Sequence, residues 1–205
     1  MSLKALQTQS KIRVVQRREF AELFGYESRN KYEICTVDGA TLGYVAEQGS
    51  SLWQVLMRNY LGHWRTFELH IFDQNKNRVA TVHNPFRFYF RELNVVSVSG
   101  EFLGSVKKQF AIFSKKFEIR LSDGEMFTVS SPIWKIWTFP VVKSGEEVAC
   151  IRKKWSGALK EVFLDADNFE IEFTSPSLPL AAKTVIVAAG VYVDIQYFER
   201  KAGEQ

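Results

Sequence analysis

The side chains of this sequence that could do chemistry offer charge and aromatic surface rather than bond-making. Lys107, Lys108, Lys115, Lys116, Arg152, Lys153 and Lys154 fall in three short basic runs and are candidates for holding phosphate groups. Basic residues near an anionic surface contribute on the order of 1 kcal/mol each, so four or five on one face would give useful affinity. Solvated strand ends would show the same runs, and charge runs often mean no more than that. Phe86, Phe88, Tyr89 and Phe90 are interleaved with Arg87 and Arg91. Rings and guanidinium groups in such a segment suit the headgroup level of a membrane. The same spacing also fits a strand with Phe86, Phe88 and Phe90 inside and Arg87, Tyr89 and Arg91 outside.

Asp165, Asp167, Asn168, Glu170 and Glu172 belong to an acidic and aromatic segment near the end of the chain. The segment from Asp165 is no EF-hand: Glu170 stands where that loop needs Gly and Pro176 where it needs a bidentate Glu. Alternation along Phe169-Glu170-Ile171-Glu172-Phe173 reads instead as a strand whose carboxylates face water. For catalysis the sequence is poor. His63, His70 and His83 lack metal spacing, and neither a Gly-rich phosphate loop nor a Gly-x-Ser-x-Gly elbow occurs. The reading is therefore non-enzymatic. Asp194 sits in a mostly apolar run, and because buried carboxylates are normally paired it is expected to anchor a polar network at a barrel mouth. Trp134, Trp137 and Trp155 read as core or barrel rim.

At 205 residues the chain is long enough to bury a substantial core. Its net charge of +4 does not imply a general affinity for nucleic acid, which is an unlikely partner. The basic surplus is local: Glu101 to Lys160 holds 11 Lys or Arg against 6 Asp or Glu. Cys35 and Cys150 cannot form a disulfide framework and read as free buried thiols in a reducing compartment. Met1 to Gln16 lacks the apolar h-region of a secretory signal, so a cytoplasmic protein is expected.

These groups need elements to position them. Residues 1–24 read as a polar tail followed by a short amphipathic helix from Ile12 to Phe24, stopping at Gly25. Beyond Asn30, short alternating runs recur between turn signals such as Asp38-Gly39, Ser99-Gly100, Asp123-Gly124 and Ser144-Gly145. Seventeen Phe in the chain favour the same β reading. An internal repeat supports it: Ser99-Gly100-Glu101 with Val106-Lys107-Lys108 matches Ser144-Gly145-Glu146 with Ile151-Arg152-Lys153 at an offset of 45 residues. Each copy runs on to an alternating strand, at Phe117 to Leu121 and at Phe169 to Phe173.

Repeated strands must close on one another to bury their apolar face without open edges. The apolar run Thr184 to Val193 is bounded by Lys183 and Asp194 and is half the length of about 20 residues that a spanning helix needs. With small residues Ala188, Ala189 and Gly190 it has no large polar face, so it must be enclosed by protein. A mainly β protein follows, a closed antiparallel barrel filled by its C-terminal helix.

Leu23-Phe24-Gly25-Tyr26-Glu27-Ser28-Arg29-Asn30-Lys31-Tyr32-Glu33-Ile34, followed by Ala46-Glu47, resembles the entry segment of the phospholipid scramblase family. Ile151 through Trp155-Ser156-Gly157, then Glu161, Asp165-Ala166-Asp167-Asn168-Phe169 and Val193-Asp194-Ile195 with Tyr197-Phe198-Glu199, resembles its C-terminal block. The resemblance runs from about Phe20 to Glu199. It implies a Tubby C-terminal-like fold: a barrel domain over 25–200 of roughly twelve strands around a central helix at about 180–198, with 201–205 a polar tail.

The resemblance further implies a protein peripheral to the cytoplasmic face of a membrane, with anionic phospholipids as partners and phospholipid movement between leaflets as the activity. Calcium is the implied cofactor, with Asp165, Asp167, Asn168, Glu170 and Glu172 in the implied calcium segment. The cysteine cluster that carries acyl chains in animal members is replaced here by Asn84 to Arg91. The alternative reading, drawn from the barrel alone, is a soluble scaffold that binds protein partners and has no lipid activity.

Overall fold

Period-two alternation sets the clearest wall strands, as at Phe117 to Leu121 and Met126 to Pro132. The computed structural model describes residues 3–17, 30–48, 67–84, 92–112, 114–132, 134–135, 137–154 and 168–197. After a one-turn helix α1 (Lys4–Gln7) come strands β1 (Lys11–Gln16), β2 (Lys31–Thr36), β3 (Thr41–Glu47), β4 (Phe67–Asp73), β5 (Arg78–Asn84) and β6 (Glu92–Ser97). The second half holds β7 (Phe102–Gln109), β8 (Ser114–Leu121), β9 (Met126–Pro132), β10 (Thr138–Lys143), β11 (Glu146–Lys154), β12 (Asn168–Phe173) and the helix α2 (Leu180–Tyr197).

Each strand pairs antiparallel with its sequence neighbours, and β1 pairs with β12 to close the barrel. Closure leaves no sheet edge, which meets the demand that the alternating repeats impose. Most inward positions are apolar and sealed, as with Ile12 and Val14 on β1, Phe117 and Ile119 on β8, and Phe169 and Ile171 on β12. The expected helix from Ile12 to Phe24 is corrected over the residues described: Lys11–Gln16 is a strand. Arg13 faces outward toward Glu170 while Ile12 and Val14 face the core, so the period of two prevails over the sparse helical spacing. The barrel thus begins before residue 25; residues 18–24 lie outside the described residues.

α2 fills the barrel. From Ala182 to Ile195 every residue is buried, so the helix needs no amphipathic face because wall surrounds it. Its close approach to the wall relies on glycine. A Cβ added to Gly190 would stand 2.7 Å from the Phe169 ring, and one added to Gly104 on β7 would stand 3.1 Å from Val185. Lys183 enters near the first turn of α2 and points at the chain's beginning. Its ammonium donates to the carbonyls of Leu6 (3.3 Å), Gln7 (2.7 Å) and Gln9 (2.7 Å) and lies 4.8 Å from the centre of the Phe173 ring. Burial lowers its pKa from the ordinary lysine value.

The two rims differ. At the lower rim tight turns join β2–β3, β4–β5, β6–β7, β8–β9 and β10–β11. The Ser144-Gly145 turn has positive φ at both residues (51° and 90°), the geometry of a two-residue hairpin that asks for glycine. The upper rim gathers the remaining connections between strands, together with the C-terminal end of α2.

Cys35 and Cys150 are both free and buried, as read from the sequence. Desolvation raises each thiol pKa to about 11, with Glu33 adding to the effect at Cys35. A folded pKa raised above the ordinary thiol value leaves neutral-pH stability untouched and removes stability as pH climbs from about 9 toward 11. The expected loss is on the order of 1–3 kcal/mol per thiol across that window. Urea melts at pH 8 and pH 10.5 should therefore show a smaller alkaline loss in Cys35→Ala/Cys150→Ala than in the parent. Equal losses would show that the thiols ionise as readily folded as unfolded.

Candidate functional site

A buried polar network lies inside the upper rim. Lys153, inward-facing on β11, donates to Asp194 Oδ1 at 2.8 Å, and the Tyr32 hydroxyl on β2 donates to Asp194 Oδ2 at 3.0 Å. Side-chain exposure is 5% for Lys153 and 2% for Asp194, so water screens this pair very little. The Tyr32 ring packs edge-on against Phe169, at 6.4 Å between centroids. A cavity with room for about one water molecule lies beside the pair, walled by Phe139, Ile151, Phe169 and Gly190. The network ties the last turns of α2 to β2 and β11, strands on opposite sides of the β1–β12 pair. Asp194 as a rim anchor was legible in the sequence, whereas its partner Tyr32 was not, since their separation of 162 positions hides the contact.

The basic residues divide by face. Lys107 and Arg152 are equivalent in the repeat and point outward; Lys108 and Lys153 lie on the inward face of their strands. Lys107 stands in register between Glu92 on β6 and Glu118 on β8. Arg152 donates to Glu172, the first cause of its raised pKa. Lys153 belongs to the internal pair and is not a surface cation. Lys108, Lys115 and Lys116 come together at the upper ends of the adjacent strands β7 and β8. There Lys116 is exposed, and the Lys115 ammonium lies 5.7 Å from the Phe139 ring centre. Lys154 closes β11 at the same rim. The two repeat copies therefore share a rim but stand four strands apart in the barrel order.

Exposed Lys135 adds a cation that the sequence reading missed, beside Trp134, which is 76% exposed. Phe110 and Ile112, between the β7 and β8 basic pairs, are 90% and 69% exposed. Their sequence signal was the break in alternation at Gln109-Phe110-Ala111-Ile112. The aromatic–arginine segment Phe86, Arg87, Phe88, Tyr89, Phe90 and Arg91 lies outside the described residues.

The described members of the implied calcium segment do not fit that ion. Glu170 is held by Lys11 (3.1 Å) and Arg13 (3.4 Å) on β1, and Glu172 by Arg152 on β11. Both carboxylates are committed to cations on neighbouring strands. Asn168 contributes one buried oxygen, Oδ1, with no hydrogen-bond partner among the described residues, where calcium takes six to eight oxygens. Asp165 and Asp167 lie outside the described residues. Among the described residues no group of three His, Cys, Asp or Glu could hold a metal, and no helix is long and apolar enough to cross a membrane.

Fold and site together define a helix-filled antiparallel barrel with a polar lock inside one rim and cations with exposed rings on it. The chain belongs to the scramblase family, whose sequence profile matches residues 1–200. A phospholipid scramblase family protein of Schizosaccharomyces pombe is 25% identical, over 87% of this chain and 56% of that protein. Phospholipid scramblase 2 of Homo sapiens is 30% identical, over 87% of this chain and 63% of that protein. Altered inheritance rate of mitochondria protein 25 of Saccharomyces cerevisiae is 23% identical, over 89% and 68%. The chain thus spans roughly three fifths of the length of the relatives it matches.

Proposed function

We propose that this chain is a phospholipid-binding protein that acts, without enzymatic chemistry, at the cytoplasmic face of a membrane, with the upper rim of its barrel turned toward anionic headgroups. The carrying observation is that Lys116 and Lys135 are exposed at the upper ends of β8 and β9, with half-buried Lys108 and Lys115 beside them, on a rim that also presents exposed rings. The names of the relatives support phospholipid as the partner and phospholipid scrambling as the activity of the whole protein. Peripheral binding suits a fold whose long apolar helix is already enclosed. Glu170 and Glu172 keep their partners on neighbouring strands in this reading, which places no calcium on them.

Vesicle sedimentation tests the reading. The parent chain is expected to sediment with phosphatidylserine-containing vesicles, to ignore pure phosphatidylcholine, and to be released by salt as surface charge is screened. Replacing Lys108, Lys115, Lys116 and Lys135 with Glu removes about 1 kcal/mol per lysine before repulsion is added, so affinity should fall by roughly a thousandfold. Sedimentation indifferent to lipid charge would favour the protein scaffold instead.

A further inference from the structure

The geometry points to Phe110, Ile112 and Trp134 as a membrane-inserting tip that dips into the headgroup–acyl boundary of an anionic bilayer, an inference that rests on the proposed lipid binding and names how it is anchored. These side chains are 90%, 69% and 76% exposed, more than any other large apolar residue described. They sit on two connections of one rim. Ser114 at the start of β8 is in register with Pro132 at the end of β9, so the β7–β8 and β9–β10 connections emerge within about 10 Å, two strand spacings, of each other.

Trp134 is held out by a built turn. The Lys135 amide donates to the Pro132 carbonyl at 2.9 Å, and the Ser131 hydroxyl donates to the Lys135 carbonyl. A hydrogen-bonded turn that presents a bare indole spends its order on exposure, and a ring in that position suits the interface between water and hydrocarbon.

Charge identifies the occupant. Exposed Lys116 and Lys135 flank the tip, with half-buried Lys108 and Lys115 at the ends of the same strands, and the nearby Glu118 is already engaged by Gln109 (3.3 Å) and Arg120 (3.3 Å). Apolar rings ringed by cations complement an anionic lipid surface, where headgroups meet the lysines and the acyl boundary meets the rings. Stable attachment usually takes two signals, and the cationic ring and the apolar tip supply one each.

The two signals separate by salt. For the full chain and phosphatidylcholine–phosphatidylserine vesicles, Phe110→Ser/Ile112→Ser/Trp134→Ser should weaken partitioning by about a hundredfold while leaving the salt dependence as steep as in the parent. The lysine-to-glutamate variant should instead flatten that dependence. Vesicles with brominated acyl chains should quench part of the parent's tryptophan fluorescence, and Trp134→Phe should abolish that part. The replaced side chains are exposed, so unchanged melting temperatures are expected and serve as the control. If the serine variant partitions like the parent and bromine does not quench, the tip inference falls while the lipid reading stands. A parent that fails to sediment at all overturns both.

Discussion

Asp194→Ala is expected to destabilise the protein by about 3–5 kcal/mol, because it leaves the Lys153 ammonium buried without its counter-ion and removes the acceptor of the Tyr32 hydroxyl. Breaking one side of a buried pair costs far more than the pair contributes. An ammonium deprived of Asp194 in that setting draws water into the rim, which loosens α2 from β2 and β11. The double replacement Lys153→Met/Asp194→Leu separates these effects, since it removes both charges and keeps apolar volume. It should recover most of the loss and could match the parent. Chemical denaturation of the three proteins decides the matter. A small effect of Asp194→Ala would mean that Lys153 reaches solvent and that the lock is not closed. Because the lock is internal, the double variant should also keep the parent's affinity for anionic vesicles, whereas the rim lysine variants should not.

Much of the architecture was legible in local pattern. Alternation at Phe117 to Leu121 and at Phe169 to Phe173 appears as β8 and β12, and the enclosed C-terminal helix appears as α2. Short-range chemistry specifies these elements: a period of two, turn residues at the hairpins, and an apolar run too short to span a bilayer. Ile12 to Gln16 escaped because β1 owes its state to partners far along the chain, with Glu170 accepting Arg13 and Lys11 from the β12 side. Asp194 apart, the site was legible only as composition. Basic runs in the sequence do not say which lysine of a strand points inward, and a shift of one residue sends Lys153 to Asp194 while Arg152 stays outside. Equivalence in the repeat suggested one cluster, but the barrel order puts β8, β9 and β10 between the basic strands β7 and β11 of the two copies. The apolar tip escaped because Phe110 and Ile112 look like core residues, and Trp134 reads as core or barrel rim, until the turns that expose them are seen.

Gly190→Val is expected to cost about 3 kcal/mol, the upper part of the usual range for overpacking a filled core. In an open helix the opposite sign would be expected, since glycine in a helix interior costs about 1 kcal/mol relative to alanine. Space decides. A Cβ at Gly190 would stand 2.7 Å from Phe169 Cε2, 3.3 Å from Cζ and 3.4 Å from Ile171 Cδ1, and the Phe169 ring is itself 2% exposed with Tyr32 against it. The obstacle is a side chain, so it can be trimmed: Phe169→Leu should relieve Gly190→Val, and the pair should cost at least about 1 kcal/mol less than the sum of the singles. Gly104 gives the contrast, because its obstacle is the Arg120 carbonyl at 2.6 Å, and no side-chain replacement removes a backbone oxygen. The coupling between residues 190 and 169 also reports where the helix is. An α2 that left the barrel for lipid would lose contact with Phe169, and the coupling would vanish when vesicles are added. If it persists with the protein bound to anionic vesicles, the helix remains enclosed and attachment rests on the rim.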